Sequence, residues 1–458
     1  MVFLPKTRGH GGRGVALVVA TLLLGVLAAM PARAVPSFSD QTGEACSACH
    51  VGAFGPQLTA HGRAFKLTGY SDGQASRQFP LVSGMAELSL THTAQGQEGG
   101  AASGFGPNNN GAVDQVSVFV AGRLYDHLGV FSQTTWDGVG HHIAWDNTDL
   151  RYGREATLAG LESILGLSVN NSPTVSDPYN TTPAWGFPYA AAKLAPHPAA
   201  ATLIEGGLAQ RVVGMTAYGL FADLLYVEAG GYRALGGGPL NTLGVAIADG
   251  QVVDGTVPYA RLALQHEDLQ QSAALGVFGL SAHVFPNNDR SAGTDRYTDV
   301  GVDASYQWHP NRNHTLGANA TAILETHSLP ASVALGLADS ASGHLNSYRL
   351  NTYYTFQQTY GLTAGVFRST GSGDAALYGS DPLTGSANGK PNSSGYVLQA
   401  DWTPFGKTDS WAAPWVNLRL ALQYTGYTQF NGASRNYDGT GRNASDNNTL
   451  WLLTWLAF

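Results

Sequence analysis

From Gln115 to Tyr125 the chain alternates, with Val116, Val118, Val120 and Leu124 on one side and Gln115, Ser117, Arg123 and Tyr125 on the other. The same two-residue period runs from Trp415 to Thr425, where Val416, Leu418, Leu420, Leu422 and Tyr424 alternate with Asn417, Arg419, Gln423 and Thr425. From Ser347 to Gln357, Tyr348, Leu350, Tyr354 and Phe356 alternate with Arg349, Asn351 and Gln357. A period of two puts successive side chains on opposite faces of a strand, here one apolar and one polar. From Leu81 to the end there are about sixteen such segments, centred near residues 87, 120, 131, 148, 165, 215, 229, 262, 278, 303, 319, 351, 366, 399, 421 and 452. The pattern predicts an all-β fold, an antiparallel transmembrane β-barrel with its apolar face to lipid and its polar face to the lumen.

Connection lengths agree with that. Long Gly-, Asn-, Ser- and Asp-rich linkers (96–112, 170–206, 235–256, 371–393) alternate with short ones at 126–128, 222–224, 267–270 and 358–360. Outer-membrane barrels carry long extracellular loops and short periplasmic turns, and the phase here places the N-terminus in the periplasm. The last strand ends in an aromatic residue, Phe458, which resembles the signal read by the outer-membrane assembly machinery of Gram-negative bacteria. Its two faces are both bulky: Leu450, Leu452 and Leu456 on one, Trp451, Leu453 and Trp455 on the other.

Composition supports a barrel and excludes other classes. Charged residues are 12% of the chain, well below the share in ordinary soluble domains, while there are 58 glycines and 20 tyrosines. Past residue 34 no apolar run is long enough for a membrane helix. Lys6, Arg8 and Arg13 precede the apolar run Val15 to Met30 and then Ala32-Arg33-Ala34, which describes a secretory signal peptide over residues 1–34. Removing its four basic residues leaves 20 basic against 32 acidic ones, a formal charge of −12. That balance argues against nucleic acid as a partner and favours cations at the surface; Asp137, Asp249, Asp254, Asp289, Asp339, Asp374, Asp381 and Asp438 all fall in outward loops.

The only two cysteines lie in Cys46-Ser47-Ala48-Cys49-His50. Thiols at this spacing can add to the two vinyl groups of one haem, and the histidine is then placed to bind the iron from one face. The sequence thus predicts a single covalent haem c with Cys46, Cys49 and His50 as cofactor-binding residues and His50 as the metal ligand; a disulfide would not need the histidine. The haem segment, residues 35–79, is too short to bury a haem in a core of its own. It is expected in, or against, the periplasmic mouth of the barrel of residues 80–458, since sixteen strands leave a wide lumen. The inner face of the last strand is either its housing or ordinary lumen packing with girdle aromatics.

Several blocks resemble the fused cytochrome-porin family, which pairs a monohaem cytochrome with an outer-membrane barrel and whose best known members oxidise iron. They are Pro36-Ser37-Phe38, Gln41-Thr42-Gly43, the C-x-x-C-H motif, Leu58-Thr59, Gly62-Arg63 and Phe65-Lys66-Leu67-x-Gly69-Tyr70, followed by Asp146-Asn147-x-Asp149-x-Arg151-Tyr152. Val169-Asn170-Asn171-x-Pro173, Asp177 and the run from Asn180 through Trp185-Gly186-Phe187-Pro188-Tyr189 extend the resemblance. One departure is Ala60-His61, where relatives are expected to carry Pro-Phe. The resemblance implies outer-membrane electron transfer: extracellular Fe(II), or another donor, is oxidised and a soluble periplasmic cytochrome or other carrier receives the electron.

Two other functions stay open from the residues alone: a solute porin with a haem-bearing plug or sensor, and a haem enzyme acting on peroxide. The position opposite His50 falls to His61, Met85, His92 or no residue; no methionine lies between His50 and Met85. Arg63 and Lys66 read either as partners of haem propionates or, more simply, as a solvated basic turn. His141-His142 with Asp146 is a weak transition-metal motif, because adjacent strand histidines point to opposite faces. Gly236-Gly237-Gly238 reads as a flexible loop.

Overall fold

The computed structural model describes residues 37–73, 81–245, 252–379, 383–412 and 416–458. The expected signal peptide lies outside the described residues. Three short helices open the chain: α1 (Ser37–Thr42), α2 (Cys46–Cys49) and α3 (Ala60–Leu67). The strands then follow as β1 (Leu81–Thr93), β2 (Asn110–Tyr125), β3 (Leu128–Asp137), β4 (His142–Leu158), β5 (Leu161–Asn170), β6 (Val212–Phe221) and β7 (Leu225–Ala234). Next are β8, in two pieces (Val252–Asp254 and Val257–Glu267), β9 (Gln271–Phe285), β10 (Asp295–Asn311), β11 (His314–Ser328) and β12 (Ser342–Phe356). The last four are β13 (Tyr360–Gly371), β14 (Ser393–Trp402), β15 (Asn417–Gln429) and β16 (Thr449–Ala457). Each pairs antiparallel with its sequence neighbour, and β1 pairs with β16 from Met85↔Ala457 to Thr93↔Thr449, so the sheet closes. Closure leaves no unpaired edge, which is what allows a sheet to sit in lipid.

Every strand centre expected from the two-residue period falls inside an observed strand. Burial follows the same alternation. On β2, Val116, Val118, Val120 and Leu124 face outward, while Ser117, Phe119 and Ala121 are buried. Leu90, Met215, Leu262, Leu275, Val302, Leu350, Leu362 and Leu452 continue the exposed apolar surface around the barrel. Tyr360 and Trp402, cross-strand neighbours on β13 and β14, and Trp308 on β10 are exposed near the short-turn end, where a girdle of aromatic rings meets the membrane interface. A closed sixteen-strand barrel with a lipid-compatible exterior is an outer-membrane fold, and its short-turn end faces the periplasm. No helix among the described residues is long and apolar enough to cross a membrane.

One long connection departs from expectation. The 170–206 linker, read as an extracellular loop, enters the lumen between β5 and β6, and residues 170–182 are buried without interruption. Its composition is polar, and several of its backbone groups bond to side chains of the inner wall. Leu203 N donates to Glu325 Oε2 at 2.6 Å, Ile204 N to Asp299 Oδ2 at 2.8 Å, and Tyr427 Oη to the Pro196 carbonyl at 3.4 Å. Ala192 and Ala195 pack against Trp451 and Leu453 of β16. The bulky inner face of the last strand therefore packs against this loop, and at Trp455 against the N-terminal segment.

Candidate functional site

The C-x-x-C-H motif lies on α2 and the residue after it. Thr59 caps α3 by accepting from Gly62 N (3.2 Å) and donates to the Ala48 carbonyl (2.6 Å), which ties α3 to α2. At Gly62 the two backbones approach so closely that a Cβ would stand 2.3 Å from the Cys49 carbonyl oxygen. Cys46 and Cys49 are free, part-buried thiols. Burial pushes the Cys46 thiol up, and burial with the nearby Glu44 carboxylate pushes Cys49 up to about 12. These are protonated thiols, unlike the depressed thiols of dithiol redox centres. The His50 imidazole has its pKa lowered by burial, which keeps it neutral as iron ligation requires, and its Nδ1 has no hydrogen-bond partner. Two undisulfided thiols one helical turn apart, beside a neutral histidine, fit covalent haem attachment.

The segment is bound to the short-turn end of the barrel on all sides. Ser47 N donates to the Gly406 carbonyl at 3.0 Å, Asn417 Nδ2 to the Ala53 carbonyl at 2.7 Å, and Gly52 N to Gln358 Oε1. Phe54 meets Trp455 of β16 edge to face, with centroids 4.6 Å apart. Gly69, at φ +78°, ends α3 where a Cβ would clash with the His127 carbonyl, 2.5 Å away. The expected placement at the periplasmic mouth is thus what the contacts describe.

Arg63 and Lys66 are not a solvated basic turn: both are buried, and both bond to the barrel and its inward loop. Arg63 donates to the Leu58 carbonyl (2.9 Å), Glu267 (2.6 Å) and Ser272 (2.6 Å). Lys66 Nζ donates to the Val175 carbonyl (2.9 Å), the Asp177 carbonyl (2.6 Å) and Asn180 Oδ1 (2.9 Å), and stands 4.9 Å from the Trp185 ring centroid. Burial lowers the Lys66 ammonium to about 7, with the neighbouring Arg151 adding to the shift. Tyr70 Oη donates to Asp149 (2.8 Å), which also accepts from Arg151; Arg151 in turn donates to the Ser176 carbonyl at 2.7 Å.

Below this contact sits a second ionic node. Asp177 accepts from the backbone of Tyr179, Thr181 and Thr182 (3.0 Å each) and lies 3.3 Å from Arg261, whose guanidinium also grips Asp303 at 2.6 and 2.9 Å. The blocks that carry the family resemblance therefore meet in space: α3 with Lys66 and the turn after it with Tyr70, the β4 motif with Asp149 and Arg151, and the lumenal loop with Asp177, Asn180 and Trp185. Each block is visible in the sequence; their meeting in one contact is set by the fold.

The other candidates separate. His61 is exposed, with Nε2 2.6 Å from Glu44 Oε2; Glu44, Cys49 and His61 are the one group among the described residues whose His, Cys and carboxylate atoms could share a metal. His92 is on the outer face of β1 near its extracellular end, bonded to Asn109 (2.8 Å), and is not a ligand to an iron at His50. Met85 is buried on the inner face of β1, two residues from Ser83, whose hydroxyl faces Ser37 of α1. His141 and His142 are both exposed, and Asp146 is taken up by Thr135 and Gln210, so that motif does not assemble. Gly237 begins a six-residue helix. Among the outward acids, Asp374 accepts from the backbone of Asp339, Ser340 and Leu377, and Asp137 pairs with Lys193. Asp249 and Asp381 lie outside the described residues.

No protein-family model matches the chain, and no curated protein matches it. Solved outer-membrane proteins do resemble its fold. The outer membrane protein OmpT of Vibrio cholerae is 10% identical and covers 82% of this chain and 97% of its own, with a TM-score of 0.41. An anion-selective porin from Comamonas acidovorans is 10% identical (82% and 99% covered, TM-score 0.42), as is OprB of Pseudomonas putida (82% and 92%, TM-score 0.45). The protein is a closed sixteen-strand outer-membrane β-barrel in which an N-terminal C-x-x-C-H segment and a long inward loop share the lumen.

Proposed function

We propose that this protein is an outer-membrane electron carrier of the cytochrome-porin type, with one haem c attached to Cys46 and Cys49 and His50 as its axial ligand. A bound haem c supplies one-electron redox chemistry. The protein residues hold it: α3 braces the motif through Thr59 and Gly62, Asn417 and Gln358 fix the loop after His50, and Lys66 and Arg63 lock α3 to the wall. By the family resemblance the donor is extracellular Fe(II), which gives up one electron and becomes Fe(III), and the acceptor is a periplasmic carrier. Because the hydrocarbon layer is about 25 Å tall, the donor must reach the haem through the lumen or the acceptor at the mouth. The observation that carries this reading is a C-x-x-C-H motif built into the periplasmic mouth with its thiols unpaired and its histidine neutral.

A solute porin is the second reading, favoured by the barrel fold. It requires an open path through a lumen that also holds the buried residues 170–182 and the N-terminal segment.

Purified protein, oxidised and then mixed anaerobically with Fe(II), is expected to give the reduced c-type haem spectrum. Reduction by dithionite but not by Fe(II) would reject iron as donor. Absence of covalent haem would reject the redox reading altogether. Single-channel conductance comparable to open sixteen-strand porins would establish the porin reading.

A further inference from the structure

Glu87 and Asp114 form a second buried anionic centre, in the lumen on the extracellular side of the haem segment. The ladder between β1 and β2 is regular from Leu81↔Ala121 to Glu87↔Gln115, then shifts so that Leu88 faces Val113. Asp114 is the extra residue, and such a bulge re-aims a side chain that regular pleating would send elsewhere. Here it turns Asp114 inward, next to Gln115 and beside Glu87. Asp114 is 2% exposed and Glu87 5%.

Lys193, Arg419 and the Gln115 side chain offset the Glu87 charge in part, and Lys193 offsets Asp114, but no cation bonds the Asp114 carboxylate directly. Both oxygens of Asp114 lack a hydrogen-bond partner, as do the hydroxyls of Ser89 and Thr91, the next two inward residues of β1. Lys193 Nζ approaches, but donates to the Asp114 backbone carbonyl and to Asp137, 3.0 Å each, and not to the Asp114 carboxylate. An isolated buried carboxylate is costly unless paired, protonated or bound to a metal. A centre made of carboxylate and hydroxyl oxygens, with neither thiol nor imidazole, suits a hard divalent cation that keeps some water.

The centre adjoins the haem segment. Glu87 lies directly opposite Trp455 across β1 and β16, and Trp455 packs on Phe54, four residues beyond His50.

We propose that Glu87 and Asp114, with Ser89, bind one divalent cation in the lumen. The naming of Fe(II) as its occupant in the working protein rests on the function proposed above; the site itself does not.

The test is titration of the full-length detergent-solubilised protein with Mn(II), a redox-quiet probe, followed by the loss of the free Mn(II) EPR signal. The wild type is expected to bind one Mn(II) at this centre, and Asp114→Asn and Glu87→Gln each to weaken it by about 10-fold or more. The control Asp289→Asn, in an outward loop, is expected to bind as the wild type does. Ser89→Ala, a milder change, gives a smaller loss and keeps the test valid where a carboxylate variant fails to assemble. No tight Mn(II) binding, or equal binding by wild type and all three site variants, would overturn the proposal and leave the carboxylates holding only a proton. Mn(II) binding without haem reduction by Fe(II) would overturn the redox reading and keep the site. Fe(II) reduction without Mn(II) binding would do the reverse.

Discussion

Asn180 bridges Lys66 and the loop that follows the C-x-x-C-H motif: its Oδ1 accepts from Lys66 Nζ at 2.9 Å, and its Nδ2 donates to the Pro56 carbonyl at 2.6 Å. One amide of the lumenal loop therefore holds both the turn that follows His50 and the helix α3 that braces the motif. Asn180→Leu, similar in size but without hydrogen bonds, leaves a buried ammonium and a carbonyl short of partners and is expected to cost about 1–3 kcal/mol. The checking measurement is limited proteolysis of the N-terminal segment in the folded barrel, with heat-modifiable gel migration showing that the barrel itself persists.

Lys66 links this attachment to pH. Its ammonium titrates near 7 in the folded protein, against an ordinary 10.5. Between those values the unfolded chain binds more protons, so stability rises with pH. The burden of burying Lys66 is full below pH 7 and is relieved above it. Relative to Lys66→Met, the wild type is expected to gain about 2 kcal/mol between pH 7 and 9, read from thermal release of the segment by tryptophan fluorescence. A difference independent of pH would show that Lys66 stays charged throughout.

Arg261 is the single cation between Asp177 and Asp303, all three inaccessible to solvent. Arg261→Met takes the guanidinium away from both carboxylates and is expected to destabilise the protein by about 3–5 kcal/mol, with the denaturation midpoint as the measurement. Arg261→Met with Asp303→Asn should recover part of that loss, since it removes one of the stranded charges.

Covalent attachment is tested by the cysteines. Cys46→Ser or Cys49→Ser leaves at most one thioether, and the pyridine haemochrome band is expected to move to longer wavelength. The double variant should lose haem staining after denaturing electrophoresis. His50→Ala should alter the axial-ligand spectrum of whatever haem remains.

His61→Ala is expected to leave the haem spectrum and the stability almost unchanged. Its ring is 45% exposed and paired to an equally exposed Glu44, and surface pairs contribute about 0–1 kcal/mol. A changed visible spectrum would make His61 an iron ligand.

The primary sequence was enough for the barrel because the information is local. Two-residue alternation in segments such as 115–125 and 415–425 states which side chains face lipid, and closure follows from the need to pair every backbone group in a membrane. That Cys46 and Cys49 stand one helical turn apart with His50 next to them was equally legible, since that spacing is local. The interior was not. Lys66 and Asn180 are 114 residues apart, and nothing in a polar, Pro- and Asn-rich linker states whether water or the inner wall will satisfy it. The same holds for Asp114, whose inward aim depends on a bulge set by pairing with β1. Strand periodicity and covalent spacing are fixed within a few residues of chain. Whether a buried charge finds its partner is decided only when distant segments are brought into one lumen.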